Sequence, residues 1–152
     1  MQIDNVDKRI LVLLQQNSRI TNAALAEAVG LSPPACLKRV KRLRDTGVIT
    51  REVALLDPKL AGQGITMIVE VEVERDRSDL FQQSIRRIRA SREVTQCYQV
   101  TGEVDFILIV NVESMEAFQA FTERVLYADP NLRKFRTLIS MNRIKFTTEV
   151  PL

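Results

Sequence analysis

The sequence predicts an α+β chain built from two unlike units in series, and three observations carry that prediction. Up to about residue 45, apolar residues recur at helical spacing in three short runs, each preceded by a capping residue. From residue 65 the period drops to two in "ITMIVEVEVE", the signature of a half-exposed strand. Between them, residues 54–64 hold Asp57-Pro58, Gly62 and Gly64, a linker composition. Charge divides at the same place. Residues 1–53 carry nine basic and five acidic side chains, whereas residues 54–152 carry thirteen and fourteen. A basic unit joined to a near-neutral one implies two tasks.

In the first unit (residues 1–53), Asp4 is placed to cap a helix with Val6, Ile10, Leu13 and Leu14 on one stripe, ending near Gln16-Asn17. Thr21 or Asn22 opens a second helix carrying Leu25, Ala28 and Val29, and Gly30 closes it. The small residues Ala24 and Ala28 are expected to allow a close approach to the third helix, which reads "LSPPACLKRVKRLRDTGVIT" from residue 31 to residue 50. Its N-cap is Ser32, whose hydroxyl is expected to accept from a first-turn N–H. Pro33 and Pro34 follow at N1 and N2, where no intrahelical donor is needed. Thr46-Gly47 is the stop.

On a helical wheel Cys36, Leu37, Val40 and Leu43 share the core side. Ala35, Lys38 and Arg42 lie opposite, flanked by Arg39 and Lys41. Residues 32–51 carry six basic side chains against one acid, Asp45. A solvated face usually mixes signs; this one-sidedness points to a polyanion. Two helices joined by a tight turn, the second cationic, are the helix-turn-helix pattern. Residues 48–53 alternate weakly and read as a β-wing. The partner expected is double-stranded DNA. Lys38 and Arg42 would face the major groove or its phosphates, Arg39 and Lys41 the backbone, and Ala35 a thymine methyl. Ser32, Pro34 and Arg51 complete the contact set.

In the second unit (residues 65–152), Ser78 opens a helix with Phe81, Ile85 and Ile88 inward and Arg86, Arg87, Arg89 and Arg92 on a solvated face. Strands are expected at 94–101 and 105–112, joined around Gly102-Glu103. Ser114 caps a further helix with Phe118, Phe121 and Val125 inward. After Pro130-Asn131 a last strand is expected over 135–146. The order is βαββαβ, ferredoxin-like. Its helices cover one sheet face, so the apolar residues of the other imply a second copy and hence a dimer.

The sequence contains no histidine, which removes the commonest general base and zinc ligand and with them Ser-His-Asp and Cys-His catalysis. Neither glycine-rich phosphate-binding motif occurs. No catalytic residue, metal ligand or cofactor is assigned, and the chain is read as a non-enzyme. The two cysteines, Cys36 and Cys97, read as reduced core thiols. With no leader-like start and no apolar run of about 18 residues, a cytoplasmic, nucleoid-associated protein is expected.

With both units read, the chain resembles the Lrp/AsnC (leucine-responsive, "feast/famine") family of transcription regulators. "LSPPACLKRVKRLRDTGVI" is similar to that family's Leu-Ser-Pro-x-x-Cys-x-x-Arg-Val-x-x-Leu-x-x-x-Gly-x-Ile signature. "VTGEVDFILIV" is similar to its Gly-Asp-x-Asp turn, with Glu103 in place of the first Asp and Asp105 retained. The resemblance implies a winged helix-turn-helix joined to a dimerising sheet domain, often assembled into octamers, and an amino-acid effector bound in clefts between sheet domains. Carried over, the effector site comprises Gly102, Glu103, Asp105, Met115, Thr137, Leu138, Ile139 and Ser140. Acids suit an ammonium, and Thr101, Thr137 and Ser140 offer hydroxyls to a carboxylate. Met115, Leu138 and Ile139 favour an aliphatic or sulfur-containing side chain. Two alternatives stand beside this reading. One is an architectural DNA-binding protein without a ligand. The other is an enzyme similar to sirohaem decarboxylases, whose histidines this chain lacks.

Overall fold

The computed structural model describes residues 2–74 and 78–152. These form two compact units, Met1–Leu55 with Ile144–Leu152, and Leu56–Arg143.

The first unit holds α1 (Asn5–Gln16), α2 (Asn22–Val29) and α3 (Pro33–Asp45). Asp4 caps α1 by accepting from Asp7 N–H at 2.8 Å, and Asp7 returns a weaker bond from Asp4 N–H at 3.3 Å, a reciprocal capping box. Thr21 caps α2 by accepting from Ala24 N–H. Gly30, at φ 73°, ends it, and Leu31 N–H reaches back to the Ala26 carbonyl in a Schellman closure. The core is Ile10, Leu11, Leu25, Ala26, Val29, Cys36, Val40 and Leu43.

Four expectations for this unit are corrected. Ser32 sits at the N-cap of α3 but makes no side-chain cap bond; with proline at N2, one of its two customary donors is missing. Leu37 is exposed, at 55%. Ala24 and Ala28 are exposed, and the small residue of α2 in the core is Ala26 instead. Residues 48–53 form no strand, because no described segment pairs with them; Arg44 instead holds Glu52 at 2.5 Å. The C-terminal segment packs onto α1 through the Gln15 side-chain amide, which donates to the Val150 carbonyl and accepts from its N–H.

The second unit contains β1 (Ile65–Val73), α4 (Ser78–Ala90), β2 (Val94–Gln99), β3 (Phe106–Val112), α5 (Met115–Phe121) continued by a π-helical stretch Thr122–Tyr127, and β4 (Leu132–Ile139). The sheet is antiparallel with order β2-β3-β1-β4, as the βαββαβ reading requires. Strict alternation makes its core. Met67, Val69 and Val71 pair with Val110, Leu108 and Phe106 under Ile88, Phe118, Phe121 and Val125. The outward register is Ile68 beside Ile109 and Leu138, with Ile107 beside Tyr98. On that face Arg136 holds Glu70 through two nitrogens, and Asn111 bonds Thr66.

The last strand stops at Ile139 rather than near residue 146. Its pairing with β1 ends when Ser140 N–H bonds the Thr66 carbonyl, because β1 begins at Ile65 and offers no further edge. The hairpin strands likewise end at Gln99 and begin at Phe106, one or two residues short of the expected limits. Cys97 is exposed on edge strand β2 rather than in the core, while Cys36 is buried.

Candidate DNA-binding helix and effector turn

Helix α3 turns Cys36, Val40 and Leu43 inward, each no more than 5% exposed. The opposite face presents Pro34, Ala35, Lys38 and Lys41 to solvent, with Ser32 just before it and Arg51 beyond its end. Lys38 and Lys41 make no ion pair or hydrogen bond with a described residue. Asn22 fixes the turn by donating to the Pro33 carbonyl at 2.8 Å, setting α3 against α2.

The arginines divide differently from expectation. Arg39 is half-buried and spans Asp4 (2.7 Å) and Asp7 (2.9 Å), and Arg42 reaches the other oxygen of Asp7 at 2.5 Å. Asp7 itself is fully buried. A buried carboxylate demands such partners, since an unpaired charge removed from water is strongly unfavourable. The Asp7 backbone N–H first, and then Arg39, hold the Asp4 carboxyl below the usual carboxylate range; Asp4 and then Asp7 hold Arg39 above its ordinary value. Arg39 and Arg42 therefore belong first to a clasp between α1 and α3. Asp7 escapes sequence reasoning. Its signal is the Asp4-x-x-Asp7 capping spacing, which does not disclose that the third helix supplies two guanidinium groups.

In the second unit, Val100 N–H bonds the Asp105 carbonyl and closes the hairpin around Gly102, whose φ of 115° is a conformation that favours glycine. Glu103 is exposed, but Asp105 is only 7% exposed and its carboxylate accepts from Val73 N–H at 2.9 Å. Asp105 thus caps the end of β1, and the outward-facing acid of the turn is Glu103. A cavity of about 520 Å³ opens on the Asp105 side of the turn, lined by Gly102 and Asp105 but not Glu103, between Gln99 and the start of α4 at Phe81 and Gln82. Gln99, Phe81 and Gln82 were missed by sequence reasoning, because only the sheet brings α4 over the hairpin. A second, more polar hollow of about 410 Å³ lies across the turn, between Glu103, Glu72 and Arg133.

The other expected effector residues lie elsewhere. Thr137 pairs with Val69, Leu138 with Ile68 and Ile139 with Met67, and Ser140 bonds Thr66. Met115 opens α5 just after β3, whose Val112 pairs with Ile65. At about 3.3 Å per residue, Ser140 and the Asp105 turn stand at opposite ends of β1, roughly 20 Å apart. One chain keeps Gly102, Glu103 and Asp105 together and does not bring Met115 or Thr137–Ser140 to them. Among the described residues, no group of acidic or cysteine side chains could hold a metal ion, and no helix is long and apolar enough to cross a membrane.

Comparison with known proteins agrees with both units. Residues 3–50 match a family model described as winged helix-turn-helix DNA-binding, and residues 66–150 match one described as Lrp/AsnC ligand binding domain. An HTH-type transcriptional regulator of Sinorhizobium fredii is 44% identical over 152 residues, covering all of this chain and 90% of that protein. The DNA-binding transcriptional activator DecR of Escherichia coli is 34% identical over 150 residues, 99% of each chain. Among solved structures, a transcriptional regulator of Neisseria meningitidis in complex with L-methionine superposes with a TM-score of 0.92 at 33% identity, covering 99% of this chain and 97% of that one.

Proposed function

This chain belongs to the Lrp/AsnC family and is a DNA-binding transcription regulator, and from that premise we propose how it engages DNA, effector and further copies of itself. The observation that carries the proposal is the outward face of α3, where Lys38 and Lys41 stand exposed and unpaired with any described residue while Arg39 and Arg42 are clasped to α1. Such a face suits a major groove flanked by phosphates. In this reading Ser32, Pro34 and Ala35 approach the base edges, Lys38 and Lys41 the groove and its phosphates, and Arg51 an adjoining phosphate. Arg39 acts through the clasp, and Arg42 keeps donors for the backbone.

The effector is an amino acid. A regulator of the same family from Neisseria meningitidis was solved with L-methionine, which supports an aliphatic or sulfur-containing side chain. The turn supplies Glu103 for the ammonium and the Gly102 backbone for close approach. Asp105, tied to β1, shapes the turn and adds negative potential. An amino acid cannot span the roughly 20 Å to Ser140, and Thr137, Leu138 and Ile139 line neither hollow beside the turn. Those residues and Met115 therefore join a site only from another copy. The apolar outward register of Ile68, Ile107, Ile109 and Leu138 supports a homodimer as the first assembly, with the octamer implied by the family above it. The protein is neither enzyme nor metalloprotein in this reading, and acts in the cytoplasm on nucleoid DNA.

Thermal melting of the full chain against each of the twenty amino acids tests the sensing claim. A native-state ligand at a hundred times its Kd stabilises by about 2.7 kcal/mol, a readily measured shift. The expected result is a rise for one aliphatic or sulfur-containing amino acid, lost in Gly102→Val. No shift at millimolar concentration would leave the architectural, ligand-independent alternative.

A further inference from the structure

We propose that Asp7, on the first helix and outside the DNA-facing surface, is a positioning residue for DNA binding: it holds the Arg42 guanidinium so that its remaining N–H groups meet a backbone phosphate beside the groove. The proposal rests on the DNA-binding reading and adds to it a residue that touches no DNA.

Asp7 is itself fixed before it holds anything. It is fully buried, it closes the capping box with Asp4, and it lies in the first turn of α1, where the helix dipole favours a carboxylate. Each of its oxygens then takes a guanidinium from α3, Arg39 at 2.9 Å on one and Arg42 at 2.5 Å on the other. Arg39 is consumed by this arrangement, since its Nη1 also serves Asp4 and its side chain is only 29% exposed. Arg42 differs. Its side chain is 45% exposed, and the one contact of its guanidinium to a described residue uses Nη2 alone. A guanidinium carries five donors in a rigid fork, so the outward ones remain for a phosphate in a plane already set by Asp7. DNA is thereby spared the entropy of freezing a long side chain.

A carboxylate beside an arginine can affect DNA affinity in two opposite ways, and this makes the proposal testable. If Asp7 only neutralises charge, Asp7→Asn removes a negative charge near the DNA, so binding tightens and its salt dependence steepens. If Asp7 positions Arg42, the same change releases the guanidinium, so binding weakens and the salt dependence flattens.

The experiment uses the full chain and a duplex enriched by the wild-type protein from a random-sequence pool, with affinity followed by fluorescence anisotropy from 50 to 300 mM KCl. Arg42→Ala should lower the slope of log K against log salt by about 0.9 per protomer, one phosphate contact. Asp7→Asn should lower it by the same amount, and the double variant should be no flatter than Arg42→Ala alone. Tighter binding by Asp7→Asn, or additive losses in the double variant, overturns the proposal. Where circular dichroism shows Asp7→Asn unfolded, Arg42→Lys decides. It keeps a charge that can neutralise a phosphate, so its slope should stay near wild type, but it loses the fork that reaches Asp7 and a phosphate together, so its affinity should fall at every salt concentration; wild-type affinity refutes positioning. If the wild-type chain enriches no duplex, the DNA-binding reading itself fails, an outcome distinct from any difference among variants.

Discussion

Replacing both Lys38 and Lys41 by alanine tests the assignment of the DNA-facing helix most directly. Both side chains are exposed on the outward face of α3, and neither is held by a described acid. Arg39, Arg42 and Arg44, by contrast, are each paired with a carboxylate. The two lysines are therefore the cations of this helix that are wholly available to phosphates. Each phosphate neutralised contributes about 0.9 to the slope of log K against log salt, so the double variant should lose about 1.8 per protomer. Between 50 and 200 mM salt, that slope change alters the ratio of wild-type to variant affinity about tenfold per protomer. The folded state should hardly notice, because substitutions at such surface positions stay within about 0.5 kcal/mol. Anisotropy titrations over a salt series measure the slope, and a urea melt checks the fold. Arg44→Ala serves as a control with a smaller slope change, since its guanidinium is held by Glu52. An unchanged slope in the double variant, with a normal melt, would refute the placement of DNA on this face.

Three further outcomes are expected. Phe121 is fully buried in the sheet-unit core, stacked on Phe118 with ring centroids 6.0 Å apart; Phe121→Ala should cost about 3–5 kcal/mol in a urea melt. Asp4 has its pKa depressed in the folded state, so its contribution to stability is present above the unfolded carboxylate value and is lost as pH falls through the lower, folded one. Asp4→Asn keeps a capping acceptor but loses the ion pair to Arg39, so its deficit relative to wild type at pH 7 should shrink on acidification below about pH 4, read from denaturant melts at a series of pH values. Ile109→Asp puts a carboxylate at the centre of the outward sheet register, beside Ile68, and sedimentation should then report monomers where the wild type gives dimers or larger species.

The elements were legible because each is written locally. Asp4, Thr21, Gly30, Pro33 and Gly47 mark helix ends by chemistry that acts within a turn, and the alternation of residues 65–73 states its own strand and its buried face. Order and periodicity then left few topologies, and the sheet order follows from them. Errors gathered where an outcome depends on a neighbour distant in sequence. The wheel could not tell Leu37 from a core residue, since a position beside the core stripe is buried only where another helix covers it, and no described helix covers Leu37. The last strand needed the position at which β1 begins.

By itself the sequence determined the helix boundaries, the alternating faces of the sheet, a cationic third helix and the turn at Gly102, all set by interactions among residues close along the chain. Only the tertiary structure decided which charges remain free. Buried Asp7 draws Arg39 and Arg42 across from another helix and leaves Lys38 and Lys41 to solvent. Asp105 turns to the backbone of β1, while Glu103 faces outward, and the length of β1 separates that turn from Ser140. The physical reason is common to these cases. A buried charge must find its partner wherever the fold brings one, and that partner has no fixed spacing in the sequence.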